Sequence, residues 1–577
     1  MTELESDTGR PETPVRVNQV GYLPPARKRA VVAVEDAGAG ALAATVDAEV
    51  QSFTVRPADG DDAVATGELS DPIHDEGAGE VVRQADFSDV TETGDYVVEV
   101  GDGAARSVPF RVAPDVYEGA LVDATRLYAL KRSNTRIDDP VTGLNVEPGH
   151  PQDERAAMRA RDEFRDAGET IDVGGGWYDA GDYGKYVPPA AVTLGQQLLA
   201  YELVPDAFES GQCDLPVDVP EVDRSAGLPD LLVEAKFELE WLERMQRPDG
   251  AVYHKVAGDE WPAIDTLPVE DTQQRYVYGL STFGTATYAA AMAMAARVYA
   301  PFDAAFADRA LENARDAFAY LAANPEPAFR FDEGQDDGSG PYRKDEDRGE
   351  RFWAAAELLK ATGGDRYADA LHGPLADVFD EPVRAPVWSD ATALGQWAYR
   401  SAEAADPERA AVLDDAFLER ADAIATAVEA DGHRVALDTD DYHWASAKLA
   451  LAKADVLLLA NEIDPDECYV AAALDQVHYV LGRTPTGYSY VTGQGTYPPR
   501  NPHDRLVEST GVEIPGMVVS GANRNGDDDY LAGFIAETDA PPAKSYVDAV
   551  PSYSANEWAI DYTAPLFLAL AVPSARE

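Results

Sequence analysis

The spacing of hydrophobic positions changes character once along the chain. From Pro14 to about Ala113 the apolar residues alternate or gather in short β-branched runs. Val15-Arg16-Val17-Asn18-Gln19-Val20 alternates, Ala30-Val31-Val32-Ala33-Val34 and Tyr96-Val97-Val98-Glu99-Val100 are compact, and Gly or Asp clusters punctuate them. About a hundred residues of this texture, 14–113, predict a β-sandwich. After Pro114 the period becomes helical and the segments lengthen. Helices are expected near 116–132, 186–204, 228–247, 280–300, 304–323, 350–362, 366–379, 392–405, 410–430, 442–461, 465–481 and 556–572. Such a set makes helical hairpins that can close into a ring, with apolar inner faces and loops forming a cleft at one end. The chain thus divides into a tail of residues 1–13, acidic, without apolar pattern and expected to be disordered, a β-sandwich over 14–113 and a mainly α domain over 114–577.

One stretch serves neither pattern. Gly174-Gly175-Gly176-Trp177-Tyr178-Asp179-Ala180-Gly181-Asp182-Tyr183-Gly184-Lys185-Tyr186 puts two carboxylates three residues apart on a glycine-rich turn among aromatic rings. An isolated acid is usually a solvated surface group. Here the glycines allow close backbone approach to a ligand, and Trp and Tyr offer flat apolar faces with a polar edge, as sugar rings require. Carboxylates among such rings can act as general bases.

With Tyr546-x-Asp548, Asn556-Glu557-Trp558-Ala559-Ile560-Asp561-Tyr562 and the block from Tyr488-Ser489-Tyr490-Val491-Thr492-Gly493 to Asn501-Pro502-His503-Asp504-Arg505, this stretch resembles glycoside hydrolase family 9, which includes many cellulases. The motifs stand in the family's order. Val17-Asn18-Gln19-Val20-Gly21-Tyr22 is similar to the opening of the immunoglobulin-like domain that precedes the catalytic domain in one subgroup. The resemblance implies an (α/α)6 barrel after a small immunoglobulin-like sandwich, and an inverting hydrolase of β-1,4-glucans, most directly a cellulase-type endoglucanase. An exo-acting cellodextrinase, β-glucosidase or glucosaminidase is the alternative within the class. A noncatalytic carbohydrate-binding protein is the alternative outside it.

Cleaving a glycosidic bond requires a proton for the leaving oxygen and an activated water on the opposite face of the sugar. By the resemblance Glu557 is the acid, Asp182 the base and Asp179 its assistant, although spacing alone cannot rank the two aspartates. Inversion, which the resemblance implies, sets the Asp182 and Glu557 carboxyls roughly 6.5–9.5 Å apart. Glu557 next to Trp558, at the start of an apolar segment, would keep its proton through desolvation. His503 and Arg505 match the family's substrate-binding pair, and Tyr253 and His254 its cleft-lining strand. Trp177, Tyr178, Trp388, Tyr553 and Trp558 are the other candidate sugar contacts. The sequence departs from the family at Tyr497 and Thr563, which touches loop anchoring and not the acid or base. No cofactor is required. A structural calcium would use Ser339, Gly340, Glu350 and Asp390, but Gly349 stands where an acid is expected, so calcium should bind weakly or not at all.

Composition adds a surface. Against 105 Asp and Glu stand 47 Lys and Arg, a net charge of −58 spread along all 577 residues, with lysine scarce beside arginine. This resembles proteins of salt-in halophiles, whose self-repulsion is screened by salt. Nucleic-acid phosphate is excluded as a partner by the same charge. Cys213 and Cys468 sit in no metal or redox motif and are expected to be two buried free thiols. The N-terminus has no basic start and apolar run, and no stretch is long enough to span a bilayer. A cytoplasmic monomer acting on glucan or cello-oligosaccharide is therefore expected, or a secreted one if the start lies elsewhere.

Overall fold

The computed structural model describes residues 13–36, 44–330 and 339–575. The expected disordered tail, apart from Thr13, lies outside them.

Two antiparallel-rich sheets form the N-terminal domain. One runs Val15–Arg16, Arg29–Asp36, Glu80–Asp86, Ile73–Asp75; the other runs Gly21–Tyr22, Phe110–Val112, Gly94–Val100, Ser52–Pro57, Ala65–Glu68, with Ala105–Arg106 beside Gly94–Val100. The alternating apolar positions meet between the sheets: Val15, Val17, Ala30, Val32, Phe53, Val55, Val98 and Phe110 share one core. This is the immunoglobulin-like sandwich.

Among the described residues twelve helices build the barrel: α1 (Glu118–Leu130), α2 (Val187–Leu203), α3 (Asp230–Met245), α4 (Thr282–Tyr299), α5 (Ala304–Ala323), α6 (Arg348–Thr362), α7 (Asp365–His372), α8 (Thr392–Arg400), α9 (Pro407–Ala430), α10 (Ser446–Ile463), α11 (Glu467–Val480) and α12 (Ile560–Ala575), and four further short helices, Glu221–Ala226, Arg505–Thr510, Asp529–Thr538 and Tyr553–Asn556, lie in its connections. Even-numbered helices form the inner ring, α2 packing on α4 and α12, α4 on α6, α6 on α8, and α10 on α12. Residue pattern explains the sorting. Helix α4 is alanine-rich and buried almost all round, whereas outer α5 buries a single stripe, Phe306, Ala310, Ala314, Ala317 and Leu321. Side-chain caps start several helices: Ser281 accepts from the Gly284 amide before α4, and Asp406, just ahead of Pro407, accepts from the amides of Glu408 and Arg409 before α9. The expected helix 366–379 ends at His372, because Gly373-Pro374 breaks it and a 3₁₀ turn, Ala376–Asp380, follows. This is an (α/α)6 barrel. None of the helices is long and apolar enough to cross a membrane among the described residues.

The sandwich docks onto the barrel through polar side chains. Gln19 donates from its backbone to Leu481 O (2.9 Å) and from Nε2 to Gly487 O (2.5 Å), and its Oε1 accepts from the amides of Thr496 (3.1 Å) and Tyr497 (2.8 Å). It therefore clamps both ends of the loop that leads to His503. A Cβ on Gly482 would lie 2.5 Å from the Gln19 side chain, so that glycine, at φ +125°, makes room for it.

Nearby, the barrel's buried His433 inserts between Asp75 (2.7 Å) and Glu80 (3.1 Å) of the sandwich, and Lys544 pairs with Glu80 at 2.8 Å. Burial pushes the imidazole down, but the two carboxylates together outweigh it and lift His433 to about 9. A raised histidine stabilises the fold fully below its unfolded value of about 6.5 and ceases to do so as pH rises through about 9. Asp431, pushed up to about 7 by burial and the Asp75 charge, titrates earlier. Between about pH 8 and about pH 10 the unfolding free energy measured with urea should fall by about 1–1.5 kcal/mol in the wild type and stay flat in His433→Gln. A wild-type midpoint indifferent to pH in that window would refute the lock.

Candidate active site

The glycine-rich stretch is held open by buried charge. Lys185 Nζ donates to Val173 O (2.9 Å) and Gly175 O (2.7 Å) and pairs with Asp153 at 2.8 Å; Arg275 pairs with the other oxygen of Asp153 at 2.9 Å and donates to Tyr183 O (2.7 Å). Both flanks of the turn are thus tied to one carboxylate. Immediately after it Lys185–Tyr186 pairs with the strand Tyr253–Ala257, fixing the turn against a mixed sheet at the barrel's end.

Single bridges then bring distant segments together. Ala180 pairs with Ala559, His503 with Glu557, and Val519 with Trp558. Ile560 N donates to Asp179 O (2.7 Å), Arg505 N to Gly181 O (3.1 Å) and Ser520 N to Glu557 O (2.8 Å). Glu557 consequently does not cap the C-terminal helix; it ends the single turn Tyr553–Asn556, its amide donating to Tyr553 O at 3.1 Å. It lies in extended backbone three residues before α12, where this pairing replaces the helix expected from position 556. Gly181 has to be glycine, since a Cβ there would come within 2.1 Å of His503 O and 3.0 Å of Glu557 Oε1.

Asp179, Asp182 and Glu557 all line a single cleft of about 930 Å³. Burial pushes the Glu557 carboxyl up to about 8, the Asp182 charge adds to the shift, and the Arg505 guanidinium and Gly181 amide oppose it. Asp179 is also raised well above the carboxylate range by burial, although the Tyr342 hydroxyl donates to its Oδ2 at 2.6 Å. Its Oδ1 is buried without a partner, an acceptor left for something in the cleft. Asp182 Oδ2 accepts from the Gly184 amide at 3.1 Å.

Arg505 is buried and donates from Nε to Pro262 O and from a terminal nitrogen to Gly181 O, both at 2.9 Å, with its guanidinium over the Trp261 ring. It does not pair with Asp504. That carboxylate accepts from Trp558 Nε1 (2.6 Å) and from the Val507 amide and is paired with Lys131. His503 is half-buried; its Nδ1 lies 2.7 Å from Val550 O and its ring packs on Tyr553. The other motif residues anchor: Asp548 accepts from the amides of Arg500 and Asn501 and from Asn556 Nδ2, each at 2.9 Å, and Tyr546 donates to Asn556 Oδ1 at 2.7 Å. Thr563 keeps an anchoring bond, its hydroxyl accepting from the Val518 amide at 3.2 Å.

Several expected sugar contacts are elsewhere. Trp177, 1% exposed, packs on Tyr128, and Tyr178 is buried with its hydroxyl 2.6 Å from His150 Nδ1. Tyr253 faces a separate pocket and donates to Asp162, while His254 is fully buried between Ser281 Oγ and Pro341 O, each at 2.8 Å. Trp558 is buried over Lys131. None of the five lines the cleft that holds the carboxyls: Trp177 and Tyr178 pack inward beside the turn, and the other three are held by partners on other segments. Trp388 does line the cleft, and Tyr553 stands exposed between His503 and Trp444. The sequence reading missed Tyr186, Trp261, Tyr342, Trp444 and Tyr562 on the cleft wall. For Trp261 and Trp444 the available signal was a tryptophan set in a polar loop. Lys131 and Tyr342 carried none.

The calcium set does not fit a divalent cation. Lys344 Nζ sits 2.5 Å from Glu350 Oε1, Lys255 Nζ lies 3.2 Å from both oxygens of Ser339 and 3.4 Å from Gly340 O, and Asp390 faces Arg384 at 3.4 Å. Ammonium groups occupy the oxygens that calcium would need, and no cluster of three or more His, Cys, Asp or Glu able to hold a metal occurs among the described residues. Of the two thiols only Cys213 is buried; Cys468 is exposed in the first turn of α11, correcting the expectation of two buried cysteines.

A carboxyl kept protonated beside aspartates, in an aromatic-walled groove at the end of a helical barrel, is the equipment of a glycoside hydrolase. The family model for glycosyl hydrolase family 9 matches residues 117–570, and that for the cellulase N-terminal ig-like domain matches residues 10–104. The chain is 32% identical over 562 residues to endoglucanase D of Acetivibrio thermocellus, covering 96% of this chain and 83% of that protein. It is 31% identical to a cellodextrinase of Butyrivibrio fibrisolvens over 96% and 98% of the two. Among solved structures, the family 9 endoglucanase J30 superposes with a TM-score of 0.90 at 47% identity, covering 95% and 99%. The chain belongs to glycosyl hydrolase family 9.

Proposed function

We propose that this protein hydrolyses internal β-1,4-glucosidic bonds of cellulose-type glucans with inversion. Glu557 is the general acid, Asp182 the base that activates water, and Asp179 the second acceptor on that water. The observation that carries the reading is that Glu557, Asp182 and Asp179 line one cleft, and burial of the Glu557 carboxyl there pushes it up to about 8. The proton is thereby retained at neutral pH for the leaving oxygen, while Tyr342 fixes one oxygen of Asp179 and leaves the other for water. His503 and Arg505 would hold sugar hydroxyls at the cleavage point.

Endo action is supported by the run of the groove. Contacts lead from exposed Trp261 through Arg505 and Gly181 to the carboxyls, and on through Asp179 and Tyr342 to Trp388, whose ring stands 4.9 Å from that of Tyr342. The cleft around the carboxyls is therefore walled by more than one aromatic ring, as binding to several sugar units requires. Proton NMR of cellohexaose during hydrolysis should show the α-anomer of the new reducing end first, since inversion at a β-bond produces it. Initial β-anomer would overturn inversion, and single glucose units from the first time point would favour an exo enzyme.

The acidic surface supports a working environment of high salt. With −58 net charges, self-repulsion should partly unfold the protein in ~0.1 M salt, where the Debye length is ~10 Å, and molar salt should restore it. Helical ellipticity that stays constant across this range would remove the halophilic reading.

A further inference from the structure

We propose that the end of the cleft at Arg420 is a subsite for a carboxylate carried by the glucan chain, so that the enzyme favours acidic over neutral β-glucans. This rests on the hydrolase reading above and adds a substrate class to it.

The charges on this part of the cleft wall are nearly all satisfied within the protein. Lys453 pairs with Asp441 at 2.6 Å, Arg384 with Asp390 at 3.4 Å, Arg343 with Asp345 at 3.1 Å, and Lys448 with Asp561. Asp438, the other acid here, caps its own 3₁₀ turn by accepting from the Asp441 amide. Arg420 is different. It lines the cleft, forms no ion pair with any described residue, and its Nε is shielded from solvent with no hydrogen-bond partner. Of the three arginines that line the cleft, Arg343 and Arg384 are paired with acids, and Arg420 is left without one among the described residues.

The position is also rigid. Arg420 lies on α9 between Phe417 and Ala421, both fully buried, so the root of the side chain is fixed by core packing. A guanidinium presents its donors in a planar fork that matches a carboxylate and is always charged. Its two terminal nitrogens, unlike Nε, are not sealed from the cleft and make no hydrogen bond with a described residue, so they can meet both oxygens of a ligand carboxylate. Trp388 on the same wall gives the attached sugar a face to stack on. A uronic acid unit or a carboxyalkyl substituent on a β-1,4-glucan has this combination of flat ring and carboxylate.

The test compares kcat/KM on carboxymethylcellulose and on hydroxyethylcellulose of matched length, at one salt concentration, for wild type, Arg420→Ala and Arg420→Lys. The ratio of acidic to neutral should fall about tenfold in Arg420→Ala, as expected for loss of a charge-assisted hydrogen bond. Arg420→Lys, keeping the charge without the fork, should recover part of it. An unchanged ratio, or an equal loss on both polymers, would overturn the proposal, the latter indicating a subsite for neutral hydroxyls. Should the wild type cleave neither polymer, the hydrolase reading itself would have failed. Retardation of the same proteins in gels containing each polymer would then still decide the subsite by the same ratio, without turnover.

Discussion

Replacing Glu557 with glutamine is expected to lower kcat on cellohexaose by about 10³, the usual range for loss of a general acid. The amide keeps the shape of the carboxyl but has no proton to transfer, so sugar binding should survive. A cellobioside with a strongly acidic phenol as leaving group needs no protonation and should remain a substrate of Glu557→Gln. Asp182→Asn should be slow on both substrates, because water activation is required whichever bond leaves. In the wild type the acid works only while protonated. With its carboxyl lifted to about 8, kcat/KM should hold at neutral pH and fall tenfold per unit above about pH 8, and this limb should vanish in Glu557→Gln with the activated substrate. Equal slowing on cellohexaose and on the activated cellobioside, or an alkaline limb that persists in the variant, would remove Glu557 from the acid role.

Asp153→Asn is expected to destabilise the catalytic domain by about 3–5 kcal/mol, the cost of leaving buried charges unpaired. Asp153 is fully enclosed and answers two buried cations, Lys185 and Arg275. Burial pushes its carboxyl up, but Arg275 and Lys185 together outweigh burial and hold it well below the usual carboxylate range. A depressed acid stabilises the fold above its unfolded value of about 3.9, and that contribution is lost as pH falls further. The variant should therefore show a lower urea midpoint at neutral pH and a shallower loss on acidification than the wild type. Because Lys185 and Arg275 also hold Val173, Gly175 and Tyr183, activity should fall with stability. A wild-type midpoint in Asp153→Asn would show that the two cations find other partners.

What the linear sequence made legible follows from periodicity and local chemistry. The period-2 texture before Pro114 and the helical period after it specify which faces must be buried, and that suffices for a sandwich followed by helical hairpins. The acidic pair on its glycine turn was visible because that combination has little use in a core, and Glu557 was visible through the resemblance of its segment to the family motif. Reading aromatics as sugar contacts failed for Trp177 and Tyr178, which pack inward beside the turn, and for Tyr253, whose strand directs it to Asp162 and a separate pocket. The calcium set failed because Lys344 and Lys255, distant in sequence or unremarkable within it, fold onto the same oxygens.

By itself the sequence determined the two architectures, the family motifs and the excess of surface acid, all of which depend on residue type and spacing along the chain. Tertiary structure decided what depends on segments far apart: that Ala180, His503 and Glu557 are stitched side by side, that Gln19 and His433 couple the sandwich to the barrel, and that Tyr342, Trp261 and Arg420 reach the cleft. A side chain's burial, its hydrogen-bond partner and the charge beside it are set by whichever neighbours close around it, and no local pattern encodes those.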